Sequence, residues 1–295
     1  DTPDPYTVVF HLDKPVALDA VLANPYQSWI TSPAAVADHG QAWFAEGHDA
    51  GSGPYRITHF ETAQRLVLQR FDDYWGGWQP NQIDTVINEV VADSAVAEQM
   101  VAAGQTDFVT SVSLAPEQMT NLAASGDYSL DTSVSSLNLI IFLNHRRAPT
   151  NDLRVRQALS YSFPYEEVLA NHTLGKSTRP HGPVPVTVWG HRTEVWPYGY
   201  DPEKAKALLA EAGYGDGLEI TLSYLTGSDL IAELWQAALA KIGVKLNLEP
   251  ADFQVLWDAA KSDPDNAPEA LAMVWSPDIV DPYSYLVNLF HSEEQ

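Results

Sequence analysis

The chain contains no cysteine, which removes thiol catalysis, disulfide cross-links and cysteine-ligated zinc. That absence fits an extracytoplasmic protein. Basic residues are scarce: 16 Lys and Arg stand against 39 Asp and Glu, a formal net charge of -23. A chain this acidic is repelled by phosphate backbones and by anionic lipid headgroups, so nucleic acid and membrane surfaces are excluded as partners. Long apolar runs are missing as well. The densest, 137–143 with Asn138 inside it, is far shorter than the roughly 20 residues needed to cross a bilayer. The opening Asp1-Thr2-Pro3-Asp4-Pro5 carries no basic region followed by the apolar stretch of a secretion signal.

Catalytic and metal motifs are equally thin. There is no HExxH and no GxSxG. Gly51-Ser52-Gly53-Pro54-Tyr55 is glycine-rich, but no lysine follows and a strand comes next, so it reads as a turn and not a phosphate cradle. Asp263-Pro264-Asp265-Asn266 lacks the glycine and the closing glutamate of a calcium loop and reads as an exposed turn. The histidines are scattered. His181 and His191, in a Pro/Gly-rich stretch, are expected in solvent. No cofactor and no metal are implied.

What is present is enough apolar and aromatic residue, 45% and 11%, to build a sizeable core. A length of 295 residues suits two domains. Residues 1–135 mix strands with short helices. A strand is expected at 6–10, a hairpin at 55–60 and 65–70, and another strand at 83–91. Asp93 is placed to cap a helix with Val96, Met100 and Val101 on one face, stopped by Gly104. From 136 onward strands and helices alternate: a strand at 137–144, a helix capped by Asp152, a break at Pro164, and a second helical stretch over 165–171. Asp201-Pro202-Glu203 is a strong helix start, with Ala205, Leu208, Leu209 and Ala212 as its buried stripe.

The stretch 218–275 reads strand (218–224), helix capped by Asp229 (to Gly243), strand (244–249), helix (252–261), strand (270–275). This is the pattern of an α/β fold with an open, mostly parallel sheet. Ligands of such sheets sit at the carboxyl ends of the strands. Here those ends are Leu225 and Thr226, then Pro250 and Ala251, then Trp275, Ser276, Pro277 and Asp278. Asp278 can hold a ligand cation or hydroxyl while Trp275 offers a flat apolar face. From topology alone the commoner roles are local, with Asp278 capping the next turn and Trp275 filling the core. Carboxylates are also plentiful enough for a paired-carboxylate hydrolase, although sequence singles out no pair. Arg146, Arg147, Arg154 and Arg156 form the one basic cluster, expected to pair with acidic surface.

Several segments, in order, resemble the bacterial extracellular solute-binding proteins of the peptide- and nickel-binding class, family 5, which serve ABC importers. They are Gly51-Ser52-Gly53-Pro54-Tyr55, Arg70-Phe71-Asp72-Asp73-Tyr74-Trp75-Gly76-Gly77, Ala103-Gly104-Gln105-Thr106-Asp107, and Asp152-Leu153-Arg154-Val155-Arg156-Gln157-Ala158-Leu159. Tyr200-Asp201-Pro202-Glu203-Lys204-Ala205-Lys206-Ala207-Leu208-Leu209 and Lys241-Ile242-Gly243-Val244 complete the set. Any one is weak; the ordered set is specific.

The resemblance implies a periplasmic-binding-protein-like bilobed α/β fold that closes over a ligand without catalysis. Residues 1–135 are then part of a strand-rich first lobe and 136–295 most of the second. The chain resembles an interior portion of a longer protein. Trp275-Ser276-Pro277-Asp278 with Asp281-Pro282 is similar to the family's Trp-x-x-Asp motif, whose aspartate pairs with a peptide's α-ammonium. That tips the reading toward Trp275 and Asp278 as ligand contacts, flanked by Ser276, Pro277, Leu225 and Thr226. Dipeptide binders place an arginine after the strand at 218–224; residues 225–229 carry none, which argues against a dipeptide. The implied partners are a peptide or other small polar solute and a membrane permease. The implied protein is a monomer at the periplasm or cell surface, lipid-anchored through an upstream segment or free. A receptor-type ligand sensor shares the same site and stands beside the hydrolase as an alternative.

Overall fold

The computed structural model describes residues 1–24, 30–110, 113–263 and 265–291. Pro264, in the turn at 263–266, lies outside them. The chain divides into two compact units, Asp1–Leu130 and Asp131–Gln295.

Unit 1 runs through α1 (Leu18–Leu22), α2 (Pro33–His39), α3 (Ala42–Ala45), β1 (Tyr55–Glu61), β2 (Arg65–Arg70), β3 (Thr85–Glu89), α4 (Ser94–Ala102) and α5 (Pro116–Ala124). β1, β2 and β3 form an antiparallel meander. The expected hairpin is β1–β2, with a bulge between Ile57 and His59 that bends the strand. Two glycine- and aromatic-rich stretches meet at its base. The Phe71 N–H donates to the Pro54 carbonyl at 2.8 Å, Trp75 Nε1 donates to the Ser52 carbonyl at 3.0 Å, and Trp78 meets Tyr55 edge-on at 5.5 Å. Tyr55, Tyr74, Trp78, Asn81 and Gln82 line a hollow of about 480 Å³ there.

Two expectations for unit 1 need correction. Residues 6–10 form no strand: Asp4 and Thr7 make an isolated bridge, the Val9 N–H folds back to the Asp1 carbonyl at 2.7 Å, and Tyr6 is 97% exposed. Strand-forming residues become a strand only when an adjoining strand takes up their N–H and C=O groups, and among the described residues only Asp1 and Asp4 of the same short segment do so. In α4, Asp93 caps as expected, accepting from the Ala95 and Val96 N–H groups at 2.9 and 3.0 Å. The buried edge, however, is Ala97 and Val101, with Val96 left exposed. Gly104, at φ 66, ends the helix in the left-handed conformation that a Cβ disfavours.

Unit 2 holds β4 (Asn138–Leu143), α6 (Leu153–Ser162), α7 (Tyr165–His172), α8 (Pro202–Glu211), β5 (Leu218–Leu225), α9 (Asp229–Ala240), β6 (Val244–Ala251), α10 (Phe253–Ala260), β7 (Ala270–Trp275) and α11 (Pro282–Phe290). The sheet order is β4-β7-β5-β6. β5 is parallel to both β6 and β7, while β4 joins β7 antiparallel. The strand alternation of β5 buries Ile220, Leu222 and Tyr224 against Leu159, Leu209, Trp235 and Leu239 from α6, α8 and α9. Each such large apolar side chain contributes about 1.5–3 kcal/mol by leaving water.

The helix boundaries follow local chemistry. α6 stops before Pro164, with Phe163 forced to extended backbone (ψ 125), and α7 restarts at Tyr165. Asp201 caps α8 through the Lys204 N–H at 3.0 Å. Asp229 is not the cap of α9. Ser228 occupies that position, and Asp229 instead accepts the buried Tyr224 hydroxyl at 2.8 Å. Burial, then the Asp229 hydrogen bond and charge, push the Tyr224 phenol up to about 12.

The basic cluster is divided in its roles. Arg147 pairs at 2.9 Å with Glu269, whose other oxygen accepts the Thr221 N–H of β5 at 3.1 Å. Arg154 pairs with Asp152 at 2.6 Å. Arg156 departs from the expected acid pairing and donates to the Thr150 and Asn151 carbonyls at 2.9 Å.

Candidate functional site

Because β6 and β7 both run parallel to β5, their carboxyl ends share one edge of unit 2. Leu225 ends β5, and the Thr226 N–H donates to the carbonyl of Ala251, the last residue of β6, at 3.1 Å. The register Tyr224↔Ala272 carries β7 past the end of β5, so Trp275 projects beyond it. Ser276, Pro277 and Asp278 follow directly. Thr226 and Ser276 are exposed, and Leu225, Pro277 and Asp278 are half-buried.

Trp275 is held on several sides. Its Nε1 donates to the Ser284 carbonyl at 3.1 Å, and its ring packs on Val184, Val188 and Tyr285. Trp257 of α10 lies 6.3 Å away, tilted by 31°, and itself stacks on Phe253 at 6.2 Å and 11°. Trp257 also belongs to the apolar cluster of Leu225, Leu256, Leu271 and Met273. It therefore links the β5 and β7 contributions, a role that the sequence reading missed. The signal was there: Phe253 and Trp257 are four apart on a helix that starts directly after a strand end.

Asp278 accepts from Asn288 Nδ2 of α11 through Oδ2 at 3.3 Å. No Lys, Arg or His among the described residues pairs with it. Of the acids that adjoin the strand ends, Asp229 accepts the Tyr224 hydroxyl at 2.8 Å and Asp281 caps α11 through the Tyr283 N–H at 2.8 Å, while Asp252 begins α10 without a side-chain capping bond. The capping role that topology alone assigned to Asp278 thus belongs to Asp281.

The loop at 183–191 forms another support. Asn138, register partner of Trp275, donates through Nδ2 to the Pro183 carbonyl at 2.8 Å, and Thr187 Oγ1 lies 3.2 Å from Ser136 Oγ. His191, expected in solvent, is half-buried, with Nδ1 2.7 Å from the Val184 carbonyl. A carbonyl only accepts, so Nδ1 carries the proton. The Tyr285 hydroxyl donates to the Ser136 carbonyl, and burial pushes that phenol up to about 12.

Among the described residues there is no cluster of three or more metal-ligating side chains, and no helix is long and apolar enough to cross a membrane. The site thus offers one carboxylate, an aromatic row and exposed hydroxyls, which is equipment for binding a polar solute with an apolar flank.

Comparison with known proteins bears on this arrangement. Residues 1–295 match the bacterial extracellular solute-binding proteins, family 5 Middle. The chain belongs to that family. Heme-binding protein A of Haemophilus influenzae is 31% identical over 261 residues, covering 84% of this chain and 45% of the relative. The dipeptide-binding protein of Escherichia coli is 28% identical over 248 residues, covering 81% and 45%. The chain spans about half the length of the curated relatives it matches. The ABC transporter-associated periplasmic binding protein DppA from Helicobacter pylori, in complex with peptide STSA, superposes with a TM-score of 0.77 at 24% identity, covering 88% of this chain and 50% of that one. Its likeness concerns the fold, which is that of the periplasmic binding proteins. These family 5 relatives are binding proteins and not enzymes, so the hydrolase alternative is set aside.

Proposed function

We propose that the protein is the extracytoplasmic binding component of an ABC importer, capturing a peptide or other amine-bearing polar solute for a membrane permease. Units 1 and 2 are taken as part of the first lobe and most of the second. In this reading Asp278 accepts the ligand's ammonium, Trp275 lies alongside, and Leu225, Thr226, Ser276 and Pro277 flank them at the strand ends of unit 2. One observation carries it: Asp278, half-buried beyond the carboxyl end of β7 and close to Trp275 in the chain, has an amide donor but no cationic partner among the described residues. A relative named for dipeptides supports an amine-bearing ligand better than one named for heme, because heme offers no ammonium to a carboxylate. The missing arginine at 225–229 directs the choice away from dipeptides toward longer peptides.

The experiment is a titration of the full-length protein with free-amine peptides of two to five residues and with a panel of sugars. Intrinsic tryptophan fluorescence and melting temperature are followed. A ligand of the folded state at 100 times its Kd adds about 2.7 kcal/mol of stability. Silence across both panels sinks the binding assignment. Binding that survives Asp278→Asn undiminished sinks the role given to that carboxylate.

A further inference from the structure

We infer that α11 is the positioning element of the site, with Ser284 and Asn288 holding the Trp275–Asp278 segment so that Asp278 Oδ1 stays open for a ligand ammonium. This rests on the reading of Asp278 as a ligand contact. The residues after β7 have no sheet partner of their own, so something else must fix them. α11 does so from one face. Ser284, 1% exposed, acts twice: its carbonyl accepts from Trp275 Nε1 at 3.1 Å, and its Oγ accepts the Ile279 N–H at 3.2 Å. Asn288, one turn further along, donates to Asp278 Oδ2 at 3.3 Å. Tyr285 between them is fully buried and fastens the helix to the Ser136 carbonyl.

Asp278, Trp275 and Ile279 are therefore oriented by residues four apart on one helix, the spacing that puts two side chains on one face. The consequence is chemical. Asn288 occupies Oδ2, and Oδ1 has no hydrogen-bond partner among the described residues. A carboxylate has about four acceptor positions, so Asn288 fills one, fixes the plane of the carboxyl group and leaves Oδ1 open. That geometry suits a primary ammonium. Asn288 and Ser284 are thus positioning residues, acting through Asp278 and Trp275 without touching the ligand.

The test uses the full-length protein with Asn288→Leu, Ser284→Ala and the conservative Ser284→Thr. Two probes are titrated by fluorescence: a mixed tripeptide library with free amines, and the same library N-acetylated. Asn288→Leu is expected to weaken binding of the free-amine library about tenfold and leave the acetylated library unchanged, as for loss of a bond to a charged group. Equal weakening of both libraries, or of neither, overturns the proposal. In parallel, amide exchange at Ile279 is expected to quicken in Ser284→Ala and to return toward the wild-type rate in Ser284→Thr. Unchanged exchange in Ser284→Ala also overturns it. If the wild type binds neither library, the assignment of an amine ligand fails by itself. The exchange measurement then still decides whether α11 holds the segment.

Discussion

The two units solve the problem of burial differently. Unit 2 covers its sheet with helices and seals Leu159, Leu209, Leu222, Trp235 and Leu239 almost completely. Unit 1 buries little apolar surface, chiefly Ala97, Val101 and Leu114, and leaves Ile83, Ile87 and Val96 exposed. It relies on local devices in their place: edge-on aromatic rings, cations over rings such as Arg56 on Phe71 at 3.6 Å, and caps. Charge widens the contrast. Unit 1 carries 17 acids against 4 bases, and unit 2 carries 22 against 12, so the shorter unit has the larger negative excess. The lesson is that secondary structure of similar quality can rest on very different reserves of hydrophobic stabilisation, and that the candidate site is built on the stronger reserve.

The contrast can be broken most directly in the core. Trp235→Ala in unit 2 removes a 2%-exposed indole and its 3.0 Å bond to Ser162, and should cost about 3–5 kcal/mol in urea unfolding. Ile87→Ala in unit 1 should cost under about 1 kcal/mol. Similar costs for the two would erase the distinction. Next, Arg147→Met strands the largely buried Glu269 carboxylate. It should cost about 2 kcal/mol, a buried-pair loss discounted for the partly exposed guanidinium. If Glu269→Gln on top of it restores nothing, the pair is not what anchors β7 to β5.

Salt sharpens the comparison from the other side. Screening of the net charge of -23 should raise the melting temperature as NaCl rises from about 0.01 to 1 M. The larger gain should fall on probes in unit 1, whose excess charge opposes a smaller core. An equal or larger gain in unit 2 would contradict that. The smallest effect concerns Asp152, where the side-chain hydrogen bond from Arg154 holds the carboxyl down at about 2, against an ordinary 3.8. A depressed folded value means the contribution is complete above about 3.8 and fades as pH falls toward about 2. The urea midpoint of the wild type should therefore drop in that window, and Asp152→Asn should flatten part of the drop.

Much of unit 2 was legible because its signals are local or periodic. Asp152, Asp201 and Pro164 declare helix ends by side-chain chemistry within three residues. The alternation at 218–224 declares a one-sided burial that a strand in this sheet requires. Similar reasoning failed at 6–10, where strand-forming residues were present but no partner strand lies among the described residues. It also failed at Asp229, where capping competed with the hydroxyl of Tyr224, a strand residue that the helix start faces only after folding. Within the site, Trp275 and Asp278 stood out because strand ends and the family motif converge on them. Trp257 did not, although its spacing from Phe253 after a strand end was a signal, and Ser284 and Asn288 had nothing in their immediate sequence to distinguish them from ordinary helix residues.

The sequence alone settled most strands and helices between 138 and 275, the absence of thiol and cysteine-metal chemistry, the acidic balance and the family. These follow from composition, short-range capping and ordered motifs, which do not depend on how distant segments meet. Tertiary structure decided that Asp278 is left without a cation among the described residues, which aromatic ring joins the ends of β5 and β7, and which helix holds the segment after β7. Each of those outcomes is a competition among groups brought together by long-range packing. Asp281 took the cap of α11, and Asp229 took the Tyr224 hydroxyl. Asp278 was left with a single amide donor, and that remainder can be counted only once every partner has been placed.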